Sequence, residues 1–495
     1  MSSLVSSLYN LISLVSGQEF NPLWQERLPF ILQGVIFVAV ATVVFYFIYR
    51  RYFGKEIKLE KMWFVVTGLL FSLVFVRFII FHFAKGYIPD RLVLYVLPSP
   101  RAESLLWFCL PILIFSIFMR FRQKIEALPH RWFLAVIYFI FVAFTLSVAG
   151  IREGVASIID PFTRTFWEYS GYVPFVHSIY DFLHSYVVLN PQIAAHMVTH
   201  PPGYILFLYI ISQLFSTSTL SLVVALVLVV GLTVFVLYFL WRQFLTEQEA
   251  RRALQIFIFV PSVVMFTATS MESFFMFLVW SAIAICFIGW KKGSVASLLG
   301  GAVVAAALFS NFLFLLLAPF FVWLAWYSIS ISDNRLRTYA GILYSLVGFT
   351  IFFFALYYYT GYSIVDNFFI ARLANKSAVA SNYESLTKYG IYLFMSLTDF
   401  VLSLGLPYLY LFFKDPARSW REGFVWFRAG ALLVCFFLII GVFQGETARL
   451  WLFLTPFFVL GKRGLLAGGE KNFSAFLALS VFQIVIVQTV FYTYW

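Results

Sequence analysis

The chain has 495 residues, of which 62% are hydrophobic and only 11% are charged. Soluble domains contain about 45–50% apolar and about 25% charged residues, so this composition excludes an ordinary soluble protein and predicts a polytopic membrane protein. The apolar runs do not alternate with polar residues, which excludes an outer-membrane barrel, and the net charge of +12 lies in short clusters between the runs rather than in a nucleic-acid-binding patch.

Residues 1–27 lack the basic start and apolar core of a signal peptide, and we interpret them as an interfacial amphipathic helix. Fourteen apolar runs of about 20 residues follow, and each is long enough to cross a bilayer. They begin near Pro29, Met62, Ser104, Arg131, Leu220, Ala253, Ser273, Val295, Phe312, Thr338, Ile391, Arg428, Leu450 and Phe473. We therefore predict an all-α protein with about 14 transmembrane helices, three of them within residues 1–130, a membrane core in 131–461 and a last one in 462–495.

Loop charges predict the orientation of these helices. When the basic cluster of residues 50–61 is placed in the cytoplasm, the cytoplasmic loops hold 23 of the 34 Lys and Arg residues, as the positive-inside rule requires. This holds only if the segment from Pro202 to Thr217 does not cross the membrane. We therefore predict a shallow or re-entrant helix there, and we expect the long loops 151–203 and 359–389 to face outward.

The first long loop, residues 151–203, is rich in side chains that bind protons, phosphates or metals. An outer loop contains polar residues in any case, so their clustering is the signal. Aromatic residues between them predict short helices in the membrane interface. The polar residues are His177, His184, His196, His200, Arg152, Glu153, Asp160, Glu168 and Asp181.

The sequence His200-Pro201-Pro202-Gly203 closes this loop and precedes an apolar run. Proline is favoured in the first helical turn, where its missing N–H would have no partner. The helix N-terminus behind it presents free N–H groups and the positive end of the helix dipole, which suit an anion. The alternative is that the prolines only begin a helix and that His200 caps it.

Further charged residues lie at the outer turns and within the spans. Glu272 is in a tight turn between two apolar runs, where a carboxylate is either a functional group or a solvated turn residue. Glu446 and Arg449 are three residues apart on one predicted helix face. The planar guanidinium of Arg449 suits a phosphate, unless the two residues merely pair with each other. We expect Arg77 and Asp399 to face the interior of the bundle at membrane depth.

These features together resemble the GT-C superfamily of integral-membrane glycosyltransferases, which includes the protein O-mannosyltransferases and the aminoarabinose transferases of lipid A. The resemblance rests on a large acidic first outer loop that His196-x3-His200-Pro-Pro-Gly closes. The stretch from Pro261 to Glu272-Ser-Phe-Phe is similar to a turn of the GPI mannosyltransferases. The resemblance covers residues 131–461. Many members have an adjacent Asp-Glu pair where this chain has Arg152-Glu153.

The resemblance implies an enzyme of the plasma (inner) membrane with an extracytoplasmic active site. Such enzymes transfer a sugar from a polyprenyl-phosphate donor to a hydroxyl of a lipid, glycan or protein acceptor. A carboxylate accepts the acceptor's proton, and cationic groups hold the phosphate leaving group. Some members require a divalent metal such as Mg²⁺ or Mn²⁺, which leaves a metal requirement open.

These roles fall on particular residues of this chain. The base would be Asp160, Glu153 or Glu168, in that order, and Glu272 would support the acceptor or a metal. The donor phosphate would contact His200, His196, Arg449 and Arg152.

Two other functions fit a membrane protein with long outer loops. A transporter or flippase of a lipid-linked saccharide would be expected to have two related halves with interrupted helices, and no internal repeat is visible in the sequence. A polymerase or ligase of surface polysaccharide typically uses basic outer-loop residues, whereas the loop 151–203 is more acidic than basic. Neither alternative, nor the transferase, predicts a nucleic-acid partner.

Overall fold

The computed structural model of the chain describes residues 22–53, 103–164, 168–189, 195–378, 380–414, 416–441 and 446–491, together with positions 61, 64–68 and 72. Within these residues the chain forms helices and no strand. Arg77, residues 1–21 and most of the run predicted near Met62 lie outside the described residues. An all-helical polytopic membrane protein is therefore the architecture that the described residues support.

The helices are numbered here in chain order. The first half contains α1 (Pro22–Phe53), α2 (Ser104–Trp107), α3 (Cys109–Glu126), α4 (His130–Ala149), α5 (Val155–Thr163), α6 (Tyr169–Tyr172), α7 (Ile179–Leu189), α8 (Ala195–Val198), α9 (Gly203–Leu214), α10 (Thr219–Gly231), α11 (Thr233–Trp241), α12 (Glu247–Phe257) and α13 (Pro261–Thr267). The second half contains α14 (Glu272–Lys292), α15 (Ser297–Ser310), α16 (Ala318–Ser330), α17 (Arg335–Thr360), α18 (Ile364–Ala378), α19 (Leu386–Leu404), α20 (Leu406–Lys414), α21 (Pro416–Glu422), α22 (Val425–Ile440), α23 (Thr447–Leu450), α24 (Thr455–Val459), α25 (Arg463–Leu466) and α26 (Glu470–Val490). Short 3-10 turns lie at Val173–Phe175, Phe312–Leu317, Ala380–Tyr383 and Leu452–Leu454.

Six helices of the described residues are long and apolar enough to cross a membrane, and two bent helix pairs raise the number to eight. The prediction of fourteen spans is not confirmed. The run predicted near Val295 forms only the 14 residues of α15, and the run near Ser104 carries four charged residues at the end of α3. The run near Leu450 is divided into α23, a 3-10 turn and α24, where Pro456 begins a new helix.

The two bent pairs meet in the middle of the bundle. Helices α12 and α13 join at 56°, and helices α19 and α20 join at 103°. Gly405, at the second bend, has a φ of 115°, which suits glycine, and it lies against the ring of Pro261 at the start of α13. Gln483 of α26 accepts a hydrogen bond from Leu406 N at 2.6 Å and donates one to Leu402 O at 2.9 Å. Leu402 O also accepts a hydrogen bond from Gly405 N at 3.2 Å, so the amide of Gln483 adds a second bond there and gives Leu406 N an acceptor at the bend.

An ionic network holds one end of the bundle together. Arg252 of α12 donates to Glu126 of α3 at 3.2 Å and to Glu470 of α26 at 3.3 Å. Arg122 of α3 donates to the same Glu126 at 2.9 Å and pairs with Glu470. Gln255 of α12 completes the network with a bond to Glu126 at 3.3 Å. These residues come from loops predicted on the cytoplasmic side, and the structure brings them to one end.

The segment that contains α9 begins and ends at the opposite end of the bundle. Gly203 lies against Ser310, where α15 ends, and α10 begins beside α5. The 12 residues of α9 extend about 18 Å at 1.5 Å per residue, which is short of the roughly 30 Å hydrocarbon core. This geometry is what a re-entrant segment requires.

Two glycines allow α15 and α17 to pack at very short distance. A Cβ atom on Gly301 would lie 1.8 Å from the carbonyl oxygen of Ser345, and one on Gly348 would lie 2.0 Å from that of Leu298. Both neighbours are backbone atoms, which cannot rotate away. Small residues at a helix crossing are a common device for close packing in membranes.

We expect Gly348→Ala to lower the free energy of unfolding by about 1–3 kcal/mol, as overpacking does in protein cores. SDS-induced unfolding of the purified protein, followed by tryptophan fluorescence, measures the change. Gly390→Ala in α19 is the control, because nothing lies within 4 Å of its Cβ position, and alanine there should be neutral or slightly stabilising. Equal effects of the two variants would contradict the close crossing of α15 and α17.

Candidate functional site

Glu272 is the first residue of α14 and lies at the end of the bundle opposite the ionic network. Its side chain is buried and is hydrogen-bonded by the Ser270 hydroxyl, while Glu272 N donates to Ser270 Oγ at 3.2 Å. The turn itself is fixed by Ser273, whose hydroxyl donates to Thr267 O at 3.0 Å. A carboxylate at the N-terminus of a long helix is further stabilised by the helix dipole. Glu272 is therefore a preorganised, buried carboxylate rather than a solvated turn residue.

Arg449 of α23 is the cation nearest to this carboxylate. Its Nε lies 3.8 Å from Glu272 Oε1, and its Nη2 donates to Glu446 Oε2 at 2.6 Å. Arg449 therefore pairs with Glu446, as one sequence-based interpretation expected, and it also faces Glu272. The guanidinium connects a turn between two membrane helices with a second turn almost 180 positions further along the chain.

A fully buried acid of α19 holds α23 in place. Asp399 Oδ2 accepts a hydrogen bond from Ala448 N at 3.1 Å, and the Thr447 hydroxyl donates to Ser396 O at 2.6 Å. Asp399 thus faces the interior, as the sequence predicts, and its partner is the backbone beside Arg449. Its carboxylate orients the residue that carries the site's positive charge.

The carboxylates around Arg449 keep it charged. Burial by itself lowers the pKa of the guanidinium, but the negative charges of Glu272, Glu446 and Glu168 outweigh burial and raise its pKa. Three carboxylates thus act on one arginine, and Glu168 is the one that the loop 151–203 contributes. The site therefore combines a permanent cation with an excess of negative charge.

Aromatic side chains and a histidine lie beside the Glu272–Arg449 pair. The ring of Tyr169 is edge-on to those of His200 and Tyr204, at centroid distances of 6.0 and 5.1 Å. The Tyr204 hydroxyl accepts a hydrogen bond from Asn311 Nδ2 at 3.1 Å. Burial, and then the negative charge of Glu272, raise the pKa of Tyr169 well above its ordinary value. Tyr169 therefore carries a neutral hydroxyl group that lies close enough to Glu272 to be affected by its charge.

His200 lies three residues before Gly203, the first residue of α9, and the N-cap of that helix is Pro202. Neither proline therefore lies within the helix and His200 does not cap it, unlike the predictions from the sequence. Tyr186 of α7 donates to His200 O at 3.0 Å, and Thr199 Oγ1 is 2.9 Å from His200 Nδ1. These bonds fix both the backbone and the ring of the histidine. The loop helices α6 and α7 therefore position His200 beside Tyr169, facing Glu272.

Comparisons with known protein families, curated proteins and solved structures found no match. The candidate site is therefore interpreted from its own geometry.

The structure brings together some of the predicted site residues and separates others. One neighbourhood contains four of the predicted site residues, namely Glu272, Arg449, His200 and Glu168. Asp160 is half-buried on α5, and within the described residues its carboxylate has no hydrogen bond or ion pair with that neighbourhood.

Two of the remaining predicted site residues bond to other parts of the chain. Glu153 lies before α5, where its backbone N–H donates to Ser157 Oγ at 2.6 Å. Arg152 is buried and donates to Phe491 O at 2.8 Å, directly after α26. The side chain of His196 lies outside the described residues.

Sequence reasoning missed the residues that surround Glu272. Ser270, Tyr169, Tyr204 and Asn311 are common residue types in a chain with 28 tyrosines, and no spacing distinguishes them. One signal was present: Tyr169 directly follows Glu168, and Tyr204 directly follows the Pro-Pro-Gly sequence. Both tyrosines therefore lie next to residues that the sequence analysis predicts for the site.

No three His, Cys, Asp or Glu side chains in the described part of the chain are grouped as a metal site requires. The space between Glu272 and Glu446 is bridged by Arg449 instead.

Proposed function

We propose that this protein transfers a sugar from a polyprenyl-phosphate donor to an acceptor hydroxyl at the end of the bundle that holds Glu272. The observation that carries the proposal is the buried pair of Glu272 and Arg449 beside His200 and Tyr169. This arrangement provides a fixed cation for a phosphate and fixed carboxylates for a hydroxyl in one place. It also agrees with the resemblance to GT-C glycosyltransferases.

Arg449 and His200 would hold the phosphate of the donor. Negative charge develops on this phosphate as the bond between its oxygen and the anomeric carbon breaks. A preorganised cation and hydrogen-bond donor stabilise that charge more than water does. The leaving group is then a polyprenyl phosphate.

Carboxylates would act on the acceptor. The base takes the proton of the acceptor hydroxyl while its oxygen attacks the anomeric carbon, so one C–O bond forms as another breaks. Among Asp160, Glu153 and Glu168, we propose Glu168, because its charge acts on Arg449 and its neighbour Tyr169 belongs to the site. Glu272, held by Ser270, would orient the acceptor.

Transfer of labelled sugar from a polyprenyl-phosphate hexose to a membrane extract tests this proposal. We expect Glu168→Gln in reconstituted protein to reduce transfer by about 10²–10⁴-fold, as the loss of a general base does. Glu272→Gln should also reduce transfer, because the acceptor loses the carboxylate that orients it. Asp181→Asn is the matched control, because Asp181 is an exposed carboxylate of the same loop that pairs with Ser178.

Asp160→Asn decides between the two assignments of the base. Full transfer by this variant supports Glu168, whereas loss of transfer in Asp160→Asn but not in Glu168→Gln would restore the order predicted from the sequence. Absence of transfer in the wild-type protein with every polyprenyl-phosphate hexose would contradict the proposed function.

The two bent helix pairs favour one alternative, a transporter of a lipid-linked saccharide. Interrupted helices form the substrate sites of many transporters, and here two of them meet at Gly405 and Pro261. The backbone groups at this bend are, however, already bonded, Leu406 N to Gln483 and Leu402 O to both Gln483 and Gly405 N. The same reconstituted vesicles distinguish the alternatives, because a transporter moves the labelled donor between leaflets without transferring its sugar.

A further inference from the structure

Glu446 has an unusual backbone. Within the part of the chain that the structure describes, it is the one residue other than glycine with a positive φ, at φ 56° and ψ 18°. Left-handed backbone is unfavourable for residues with a Cβ, and it is maintained where the surrounding structure requires it, often at functional sites. What this conformation achieves here is the bond between Glu446 and Arg449.

The two carboxylates that face Arg449 differ in how firmly they are held. Glu272 is 8% exposed and is fixed by Ser270, and it lies 3.8 Å from the guanidinium. Glu446 is 23% exposed and has the shorter contact, 2.6 Å. The guanidinium itself is 12% exposed. Both carboxylates lie along the edge of the guanidinium that Nε and Nη2 form, with the more exposed Glu446 at Nη2 and the more buried Glu272 near Nε.

We propose that Glu446 is a placeholder that occupies the phosphate position of Arg449 until the donor displaces it. This proposal rests on the proposed function and adds a residue that sets the affinity for phosphate. A phosphate that binds the bidentate edge formed by Nε and Nη2 needs the Nη2 position that Glu446 occupies, so the phosphate and Glu446 compete there.

The placeholder has a consequence for the resting site. With Glu446 in place, Arg449 has one carboxylate bonded at Nη2 and a second near Nε, so its own buried charge is compensated. When the phosphate replaces Glu446, the pairing of Arg449 is preserved. Glu446 is thus a positioning residue that acts through Arg449.

A pair of variants isolates its charge. Aspartate and asparagine both tolerate left-handed backbone better than other residues, so Glu446→Asp and Glu446→Asn differ in charge and hardly in strain. The probe is a short-chain polyprenyl monophosphate, the predicted product, and its dissociation constant is measured by calorimetry in detergent. We expect Glu446→Asn to bind the probe about tenfold more tightly than Glu446→Asp, within the usual range of coupling between two ligands of one site.

Kinetics and a control complete the test. Glu446→Asn should lower KM for the donor in the same proportion and leave kcat within a few fold, which a merely structural role would not do. Glu384→Gln is the control, because Glu384 forms an exposed pair with Lys388 and should leave the affinity unchanged. Unfolding midpoints without the probe show whether both Glu446 variants are folded.

The outcomes separate the two proposals. Equal affinity of Glu446→Asn and Glu446→Asp, together with weaker binding by Arg449→Gln, would reject the placeholder and support the phosphate site. If the probe binds neither the wild-type protein nor the Glu446 variants, the phosphate site and the placeholder are both wrong.

Discussion

Arg449→Met is expected to abolish sugar transfer and to destabilise the protein. Removal of one partner from a buried ion pair leaves the other charge uncompensated, which costs about 3–5 kcal/mol. Here Glu272 and Glu446 would both lose their cation. Loss of a preorganised group that stabilises a developing negative charge reduces the rate by about 10²–10³-fold. Donor-dependent transfer and SDS-induced unfolding measure the two effects on the same preparation.

A variant without any of the three charges separates stability from activity. Glu272→Gln, Glu446→Gln and Arg449→Met together remove the guanidinium and both carboxylates that contact it, and only the half-buried Glu168 remains of the carboxylates that act on Arg449. The unfolding midpoint should therefore lie much closer to that of the wild-type protein than the midpoint of Arg449→Met does. Transfer should stay absent, because no cation remains for the phosphate. Transfer at the wild-type rate in this folded variant would show that the cluster only stabilises the fold.

Arg122→Met is expected to have the second large effect, on stability alone. Arg122 is 1% exposed, donates to Glu126 at 2.9 Å and to Gln255 at 3.2 Å, and lies over the ring of Phe473 at 5.0 Å. Its loss leaves Glu126 and Glu470 with less positive charge at a junction of three helices. We expect the free energy of unfolding to fall by about 3–5 kcal/mol, as for other broken buried pairs.

Arg120→Met is the matched control for this prediction. Arg120 is an exposed arginine of the same helix, two residues before Arg122, and exposed charges contribute at most about 1 kcal/mol. Transfer per folded molecule should be unchanged in both variants, because the network lies at the end of the bundle opposite Glu272. A loss of transfer without a loss of stability in Arg122→Met would show that the two ends are coupled.

Much of the helical architecture follows from the sequence, because apolar runs are local signals. The runs predicted near Arg131, Leu220, Ser273 and Phe473 each form a helix able to cross a membrane. The runs near Ala253 and Ile391 are bent instead. Their bends depend on Pro261 and on Gly405 with Gln483, which is 78 positions away from the glycine, and a window of 20 residues does not include such a partner.

The candidate site is only partly predictable from the sequence. Glu272 and Arg449 stand out because a charged residue between apolar runs is rare and expensive. Their neighbours Tyr204 and Asn311 are ordinary residue types that acquire a role only when α9 packs against the end of α15. The order of the three loop carboxylates followed from their position in the chain. In the structure, which of these carboxylates lies near Arg449 depends on how α5 and α6 fold back, and no local sequence pattern encodes that arrangement.

The position of α26 has a consequence for biosynthesis. This helix is wholly buried, yet it follows every other described helix in the chain. A ribosome therefore delivers α3, α12 and α19 to the bilayer before Glu470 and Gln483 have been translated. Until then Arg122 and Arg252 lack their common partner Glu470, and the bend at Gly405 lacks the side-chain amide of Gln483. Closure of the bundle is thus a late step of membrane insertion.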